Sequence, residues 1–250
     1  AQPDYVFHLA AQSLPSESRR DPWPSLATNI RMQLNVLNGL AELGLQPRVL
    51  VVGSSEQYGR IDPDQLPISE DTPFRPLNAY AVSKVTQEML GLQYHHAHGL
   101  VVMVVRPFNH IGPRQRLGFV APDFAYQVAT AEAGQREPVV RVGNLNVSRD
   151  FSDVLDVVRG YHLIATQGEP GEAYNLGSER AHSIAELLNL LVGASKVKLT
   201  VEQDSARTRA VDVPAIVSDC QKLRQRTGWS PTVAFEESVG KVLDYWRENL

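Results

Sequence analysis

Tyr80 and Lys84 stand four residues apart in the run Tyr80-Ala81-Val82-Ser83-Lys84. On a helix that spacing is about one turn and sets both side chains on one face. An ammonium beside a phenol favours the phenolate and draws its pKa down from an ordinary value near ~10 toward working pH. Tyr80 then becomes an acid–base group for a hydroxyl or a ketone. Spacing alone leaves a second reading open, with Tyr80 in the core and Lys84 solvated. More polar chemistry sits in Gly53-Ser54-Ser55-Glu56-Gln57-Tyr58-Gly59. A serine there can hydrogen-bond the same oxygen that Tyr80 protonates, and on an extended segment Ser54 and Glu56 point the same way. The plain alternative is a polar turn.

Elements that could position these groups are readable around them. Apolar runs at Tyr5–Ala11, Val49–Gly53 and Val101–Val105 read as buried strands of parallel type. Between them, helical periodicity runs from about Ser25 to Leu43 and from about Ala79 to His98, with Gly44 and Gly99 as stops. Strand and helix in alternation predict an α/β fold with a doubly wound parallel sheet, whose site residues belong at the carboxyl ends of the strands. Ser54 follows such an end. After Arg106, prolines and glycines break the pattern. Ala173–Ser178 reads as a strand into a turn, Ser183 with Glu186 as a capping box before Ile184–Val192, and Phe235 onward as a final amphipathic helix. These textures divide the chain at 1–105 and 106–250, with a boundary that is approximate and open to interleaving.

Composition excludes several classes of function. Among 250 residues, hydrophobic types make up 43% and charged types 21%, which rules out wholesale disorder. A net charge of -4 with mixed signs gives no footprint for nucleic acid or a membrane surface. No apolar run approaches the roughly 20 residues of a membrane span, and no leader pattern opens the chain. The single Cys220 fits a reducing, cytoplasmic setting. His95, His96 and His98 cluster near a helix end without matching carboxylates, so no metal site is expected.

His8-Leu9-Ala10-Ala11, Ser54-Ser55 with Tyr58-Gly59, Tyr80 with Lys84, and Arg106-Pro107-Phe108-Asn109 together resemble the extended short-chain dehydrogenase/reductases that act on nucleotide sugars. Asn109–Pro113, Gly118–Phe124, Val142–Leu145 and Arg149-Asp150-Phe151 resemble, more particularly, the branch that reduces GDP-4-dehydro-6-deoxy-D-mannose. The resemblance implies a Rossmann-type sheet in 1–105 and a nucleotide-sugar lobe in 106–250. It begins at what would be the family's fourth strand, so the first strands and glycine-rich turn are expected to precede this segment. It implies NADP or NAD as cofactor, lined by Leu9, Ala10, Ala11, Asn29, Phe108, Tyr80 and Lys84, with Lys84 at the nicotinamide ribose. Ser54, Tyr80 and Lys84 would be the catalytic trio, with Glu56 beside them. Asn109, Val120, Asn144, Arg149 and Arg209 would hold a GDP-sugar, the arginines at the diphosphate and Asn144 at the guanine. A guanidinium fork suits that duty. The resemblance further implies a homodimer through the two long helices.

Two alternatives stay open from these residues. GDP-mannose 4,6-dehydratase needs a base for the C5 proton, and Glu56 occupies the position of that glutamate. Against it, Pro122-Asp123 stands where the dehydratase carries an Arg-Lys pair, which exchanges cations for a carboxylate at a phosphate contact. A degenerate relative that binds a sugar nucleotide without turnover is the other.

Overall fold

The computed structural model describes residues 2–207 and 213–250. Its larger sheet is parallel, in the order β1-β2-β3-β7, from β1 (Tyr5–His8), β2 (Arg48–Val52), β3 (Val101–Pro107) and β7 (Ala173–Leu176). Helices α1 (Pro15–Arg20) and α2 (Pro22–Glu42) follow β1, and α3 (Ala79–His98) leads into β3. Side chains of a strand alternate between faces, and the packing follows that rule. Val49, Val51, Val102 and Val104 pack with Leu37, Leu40 and Tyr94 of α2 and α3. Leu50, Met103 and Val105 face the other way, against Val157, Tyr161 and Ile164 of α5 (Val154–Gln167). Helix α2 begins earlier than its apolar periodicity indicates, at Pro22, whose fixed φ suits a first turn. Gly99, at φ 69°, closes α3 in the left-handed region that glycine adopts without cost.

One strand departs from expectation. β1 was expected to be buried, yet Tyr5 and Phe7 are 44% and 41% exposed. By register Phe7 lies level with Leu50, on the face that α5 covers over β2, β3 and β7. Among the described residues β1 pairs with β2 alone, at the edge of this sheet.

The second lobe is built from β4 (Asn109–Ile111), α4 (Val120–Glu132), β5 (Val139–Val142), β6 (Ser148–Asp153), β8 (Ala181–Ser183), α6 (Ile184–Gly193), β9 (Thr200–Gln203) and β10 (Ala215–Ile216). Helices α7 (Gln221–Thr227) and α8 (Phe235–Glu248) close the chain. β6 pairs with β4 and β10 in parallel and with β8 antiparallel, and β5 pairs with β9. Phe124, Val128, Leu187, Leu191, Val242 and Leu243 fill the core between α4, α6 and α8. The Ser183 hydroxyl accepts from the Glu186 amide at 2.9 Å, the serine half of the expected capping box, while the Glu186 carboxylate meets His182 at 2.9 Å instead of closing the box. The two halves interleave. β7 returns from the second half to complete the first sheet, and α5 lies beneath it.

Candidate active site

A cleft of about 1090 Å³ opens where β2 and β3 end, between the large sheet and the second lobe. That size suits a substantial organic ligand, since such pockets typically run about 300–1,000 Å³. Leu9, Ala11, Ser54, Glu56, Tyr80 and Lys84 line it from the sheet side, and Phe108, Asn109, Val120, Asn144 and Arg149 line the remainder. Ala10 is exposed and lies outside the lining. Asn29 also lies outside it. Its fully buried amide accepts from the Gln12 N–H and donates to the Ser83 hydroxyl, tying the segment after β1 to α3. Arg209 falls outside the described residues.

Helix α3 presents Tyr80 and Lys84 as the spacing predicts, with the Lys84 ammonium 5.9 Å from the centre of the Tyr80 ring. The electrostatics differ from expectation. Burial pushes the Tyr80 phenol up to about 12, the Ser54 side chain hydrogen-bonded to it pulls the other way, and the Glu56 charge raises it further. Burial draws Lys84 down to about 8, and its Nζ donates to the Val52 carbonyl at 2.9 Å. Burial, not the lysine, sets the direction of the Tyr80 shift, and the phenol is protonated at neutral pH. A protonated phenol beside a serine hydroxyl is arranged to give a proton to an incoming oxygen.

Ser54 itself is extended, and the chain turns directly after it, which is the polar-turn alternative for this segment. Ser54 caps a single 3-10 turn at Ser55–Gln57, and its hydroxyl accepts from the Glu56 amide at 3.2 Å. The Glu56 carboxylate accepts from the Asn78 side-chain amide at 2.9 Å.

Four further residues belong to this region. Asn78 caps α3 through Ala81 N–H at 2.8 Å, and an asparagine just before a helical run is a readable sign of that. His110 lines the cleft with its pKa lowered by burial, its Nδ1 3.1 Å from the Phe108 carbonyl. Tyr161 reaches the cleft from α5, with burial and then Tyr80 raising its pKa. Nothing local in the sequence marks it. Arg207 lines the far end, 3.5 Å from Asp204 and 3.8 Å from Asp123. Arg149 is nearly buried, and its guanidinium donates to the Ser148 and Val213 carbonyls at 2.8 Å.

A model of the GDP-mannose 4,6 dehydratase family matches residues 1–242. The GDP-6-deoxy-D-mannose reductase of Pseudomonas aeruginosa is 38% identical over 248 residues, spanning 99% of this chain and 82% of that protein. A dTDP-glucose 4,6-dehydratase of Streptomyces antibioticus is 32% identical over 249 residues, 100% of this chain and 72% of its own length. Among solved structures, RMD from Pseudomonas aeruginosa complexed with NADPH superposes with a TM-score of 0.95 at 36% identity, covering 100% of this chain and 83% of that one. The UDP-glucose 4-epimerase of Thermotoga maritima with UDP-glucose gives 0.89 at 28% identity, over 98% and 78%. Sequence match and superposition run through both lobes, and the chain belongs to the GDP-mannose 4,6 dehydratase family of extended short-chain dehydrogenase/reductases.

Proposed function

We propose that this protein reduces the C4 ketone of GDP-4-dehydro-6-deoxy-D-mannose, with NADPH or NADH as the hydride source. The observation that carries the reading is Tyr80, buried on α3 and lining the same cleft as Ser54 and Lys84. The 38% identity to a GDP-6-deoxy-D-mannose reductase favours it over dehydration.

The residues present suit a dinucleotide. Lys84 lines the cleft and gives one N–H to Val52, and an ammonium carries three donors, so two remain for ribose hydroxyls. Leu9, Ala11 and Phe108 supply apolar surface there. The nicotinamide ring supplies the hydride when bound. Ser54 orients the ketone by donating its hydroxyl, and Tyr80 delivers the proton to the developing C4 oxyanion. Arg149 and Arg209 anchor the diphosphate, Asn144 meets the guanine, and Asn109 and Val120 flank the sugar. Asn29 supports the cofactor side from behind the lining by tying the segment after β1 to α3. The large sheet thus serves the dinucleotide and the second lobe the nucleotide sugar.

The same reading makes the protein a homodimer through α2 and α3. Trp23, Val82 and Met89 on those helices are 72%, 41% and 45% exposed, and two-fold pairing is the commonest closed assembly. Light scattering at micromolar concentration tests this, and a monomer mass counts against it. No helix among the described residues is long and apolar enough to cross a membrane.

The activity test is direct. Incubation with GDP-4-dehydro-6-deoxy-D-mannose and NADPH should consume the cofactor and yield a GDP-deoxyhexose. Conversion of GDP-mannose to the 4-keto sugar instead would replace this reading with the dehydratase.

A further inference from the structure

We propose that Gln57 and Glu88 are positioning residues that set Ser54 for catalysis, through a buried chain of hydrogen bonds running from Arg106 to the Ser54 backbone. The catalytic part of this inference rests on the reading in which Ser54 orients the ketone.

Gln57 is fully buried, and both ends of its amide are used. Its Oε1 accepts from the Ser54 N–H at 2.7 Å, and its Nε2 donates to Glu88 Oε2 at 2.7 Å. A primary amide can turn over with almost no change of shape, so its partners decide which end faces which way. The Arg106 fork engages both oxygens of Glu88, with Nη2 to Oε1 at 2.6 Å and Nε to Oε2 at 3.1 Å. Glu88 therefore meets Gln57 as an acceptor. Gln57 must turn its NH₂ toward Glu88, and its carbonyl oxygen toward Ser54. Arg106 is itself fixed, by the Tyr58 hydroxyl at 2.9 Å and the Glu70 carbonyl at 2.8 Å.

The neighbouring glycine fits this chain. A Cβ at position 53 would collide with Gln57 Oε1. Only a residue without a side chain leaves the amide oxygen its place.

Geometry along α3 gives the chain its consequence. Tyr80, Lys84 and Glu88 follow at intervals of one turn on one helix face. Lys84 grips the carbonyl of Val52, and Glu88, through Gln57, grips the amide of Ser54. The two attachments flank Gly53. One rigid helix thus carries the proton donor and also sets the height and rotation of the serine opposite it, so the distance between the two hydroxyls does not depend on loop motion. A misplacement near 1 Å at such a pair can cost about 10² in rate.

The test compares Gln57→Met, which keeps length and bulk but neither hydrogen bond, with Gln57→Asn, which keeps the amide but is one methylene too short to span Ser54 and Glu88. Glu88 is left unchanged because its Oε2 serves both Gln57 and Arg106. Gln57→Met should lower kcat for the 4-keto sugar about 10- to 100-fold, with KM and the Kd for NADPH held within about threefold. Gln57→Asn should lose kcat in the same direction. Hydrogen exchange of the Ser54 amide, measured by mass spectrometry without substrate, should accelerate in both variants. A folded Gln57→Met with kcat within twofold of wild type overturns the proposal. Should that variant not fold, a Gln57→Asn protein with wild-type kcat and wild-type Ser54 exchange overturns it equally. Wild-type protein inert toward the ketone would sink the reductase reading instead, and the Ser54 exchange rates then decide the positioning claim on their own.

Discussion

Asn78 joins Glu56 to the helix that carries Tyr80. Its Nδ2 donates to the Glu56 carboxylate at 2.9 Å while its Oδ1 accepts from Ala81 N–H at 2.8 Å, so one amide serves as helix cap and as clamp. The carboxylate is thereby held near the Tyr80 phenol, whose pKa its charge raises after burial has already done so. Under the proposed reduction Glu56 has no proton to remove from the sugar, and Asn78 holds its carboxylate in place beside Ser54.

Tyr80→Phe deletes the hydroxyl and keeps the buried ring. We expect turnover to fall by about 10²–10⁴, the usual cost of losing a positioned acid–base group. GDP-sugar affinity by calorimetry should stay within about threefold. Residual kcat near wild type would remove Tyr80 from the mechanism.

Glu56→Gln retains an oxygen for the Asn78 amide and removes only the charge. A reductase should lose about tenfold at most, equivalent to about 1.4 kcal/mol of barrier. A dehydratase should lose about 10²–10⁴, because it needs the base at C5. Mass spectrometry after turnover in deuterium oxide provides the second measurement. Deuterium at C5 of a product made from GDP-mannose, together with a crippled variant, would transfer the protein to the dehydratases.

Lys84 gives stability a specific pH dependence. Burial lowers its pKa to about 8 from an ordinary 10.5, so between those values the unfolded chain binds more protons and stability rises with pH. The contribution is complete above the unfolded value and lost as pH falls through about 8. Tyr80 acts in the opposite sense and higher up. Its pKa is raised from 10.0 to about 12, so its contribution is full below 10.0 and lost as pH rises through about 12. Burial also raises the Cys220 thiol from 9.0, which opposes the lysine in the upper part of the window from pH 8 to 10, so the lysine is read as the difference between wild type and Lys84→Met in thermal melts. That difference in Tm should change with pH between 8 and 10, in the sense that wild type gains on the variant as pH rises, and a constant difference would refute the assignment.

Gly160 lets α5 pack directly against Leu176 of β7. A Cβ there would collide with Leu176 Cδ1 and come within 3.2 Å of the Trp229 indole nitrogen, and both neighbours are fully buried. Gly160→Ala should cost about 1–3 kcal/mol in urea unfolding, the range for overpacking a filled core. A neutral or stabilised variant would show that Leu176 can yield.

Features with local causes were legible from residue order. The apolar runs of β2 and β3, the periodicity and glycine stop of α3, the serine cap of α6 and the shared face of Tyr80 and Lys84 all depend on neighbours within a few positions. Helix and strand periods operate at that range. The family motifs also located most of the cleft lining, from Leu9 to Arg149. Features with distant causes were not legible. The Ser54/Gln57 cap is local, but the orientation of the Gln57 amide is not legible from residue order, because its other partner, Glu88, lies 31 positions further on. The Tyr80 phenol was expected to be lowered by Lys84, but burial by the surrounding chain governs it. Tyr161 reaches the cleft only because α5 packs beneath β2 and β3, and β7 joins the first sheet by pairing with β3 across some 70 residues. Asn29 resembled a cofactor ligand, yet Gln12 and Ser83 occupy its amide. Sequence alone determined which groups stand on one helix face, since bond geometry and hydrogen-bond spacing act over a single turn. Tertiary structure decided their protonation and their partners, because desolvation and long-range hydrogen bonds exist only once distant segments exclude water from the same place.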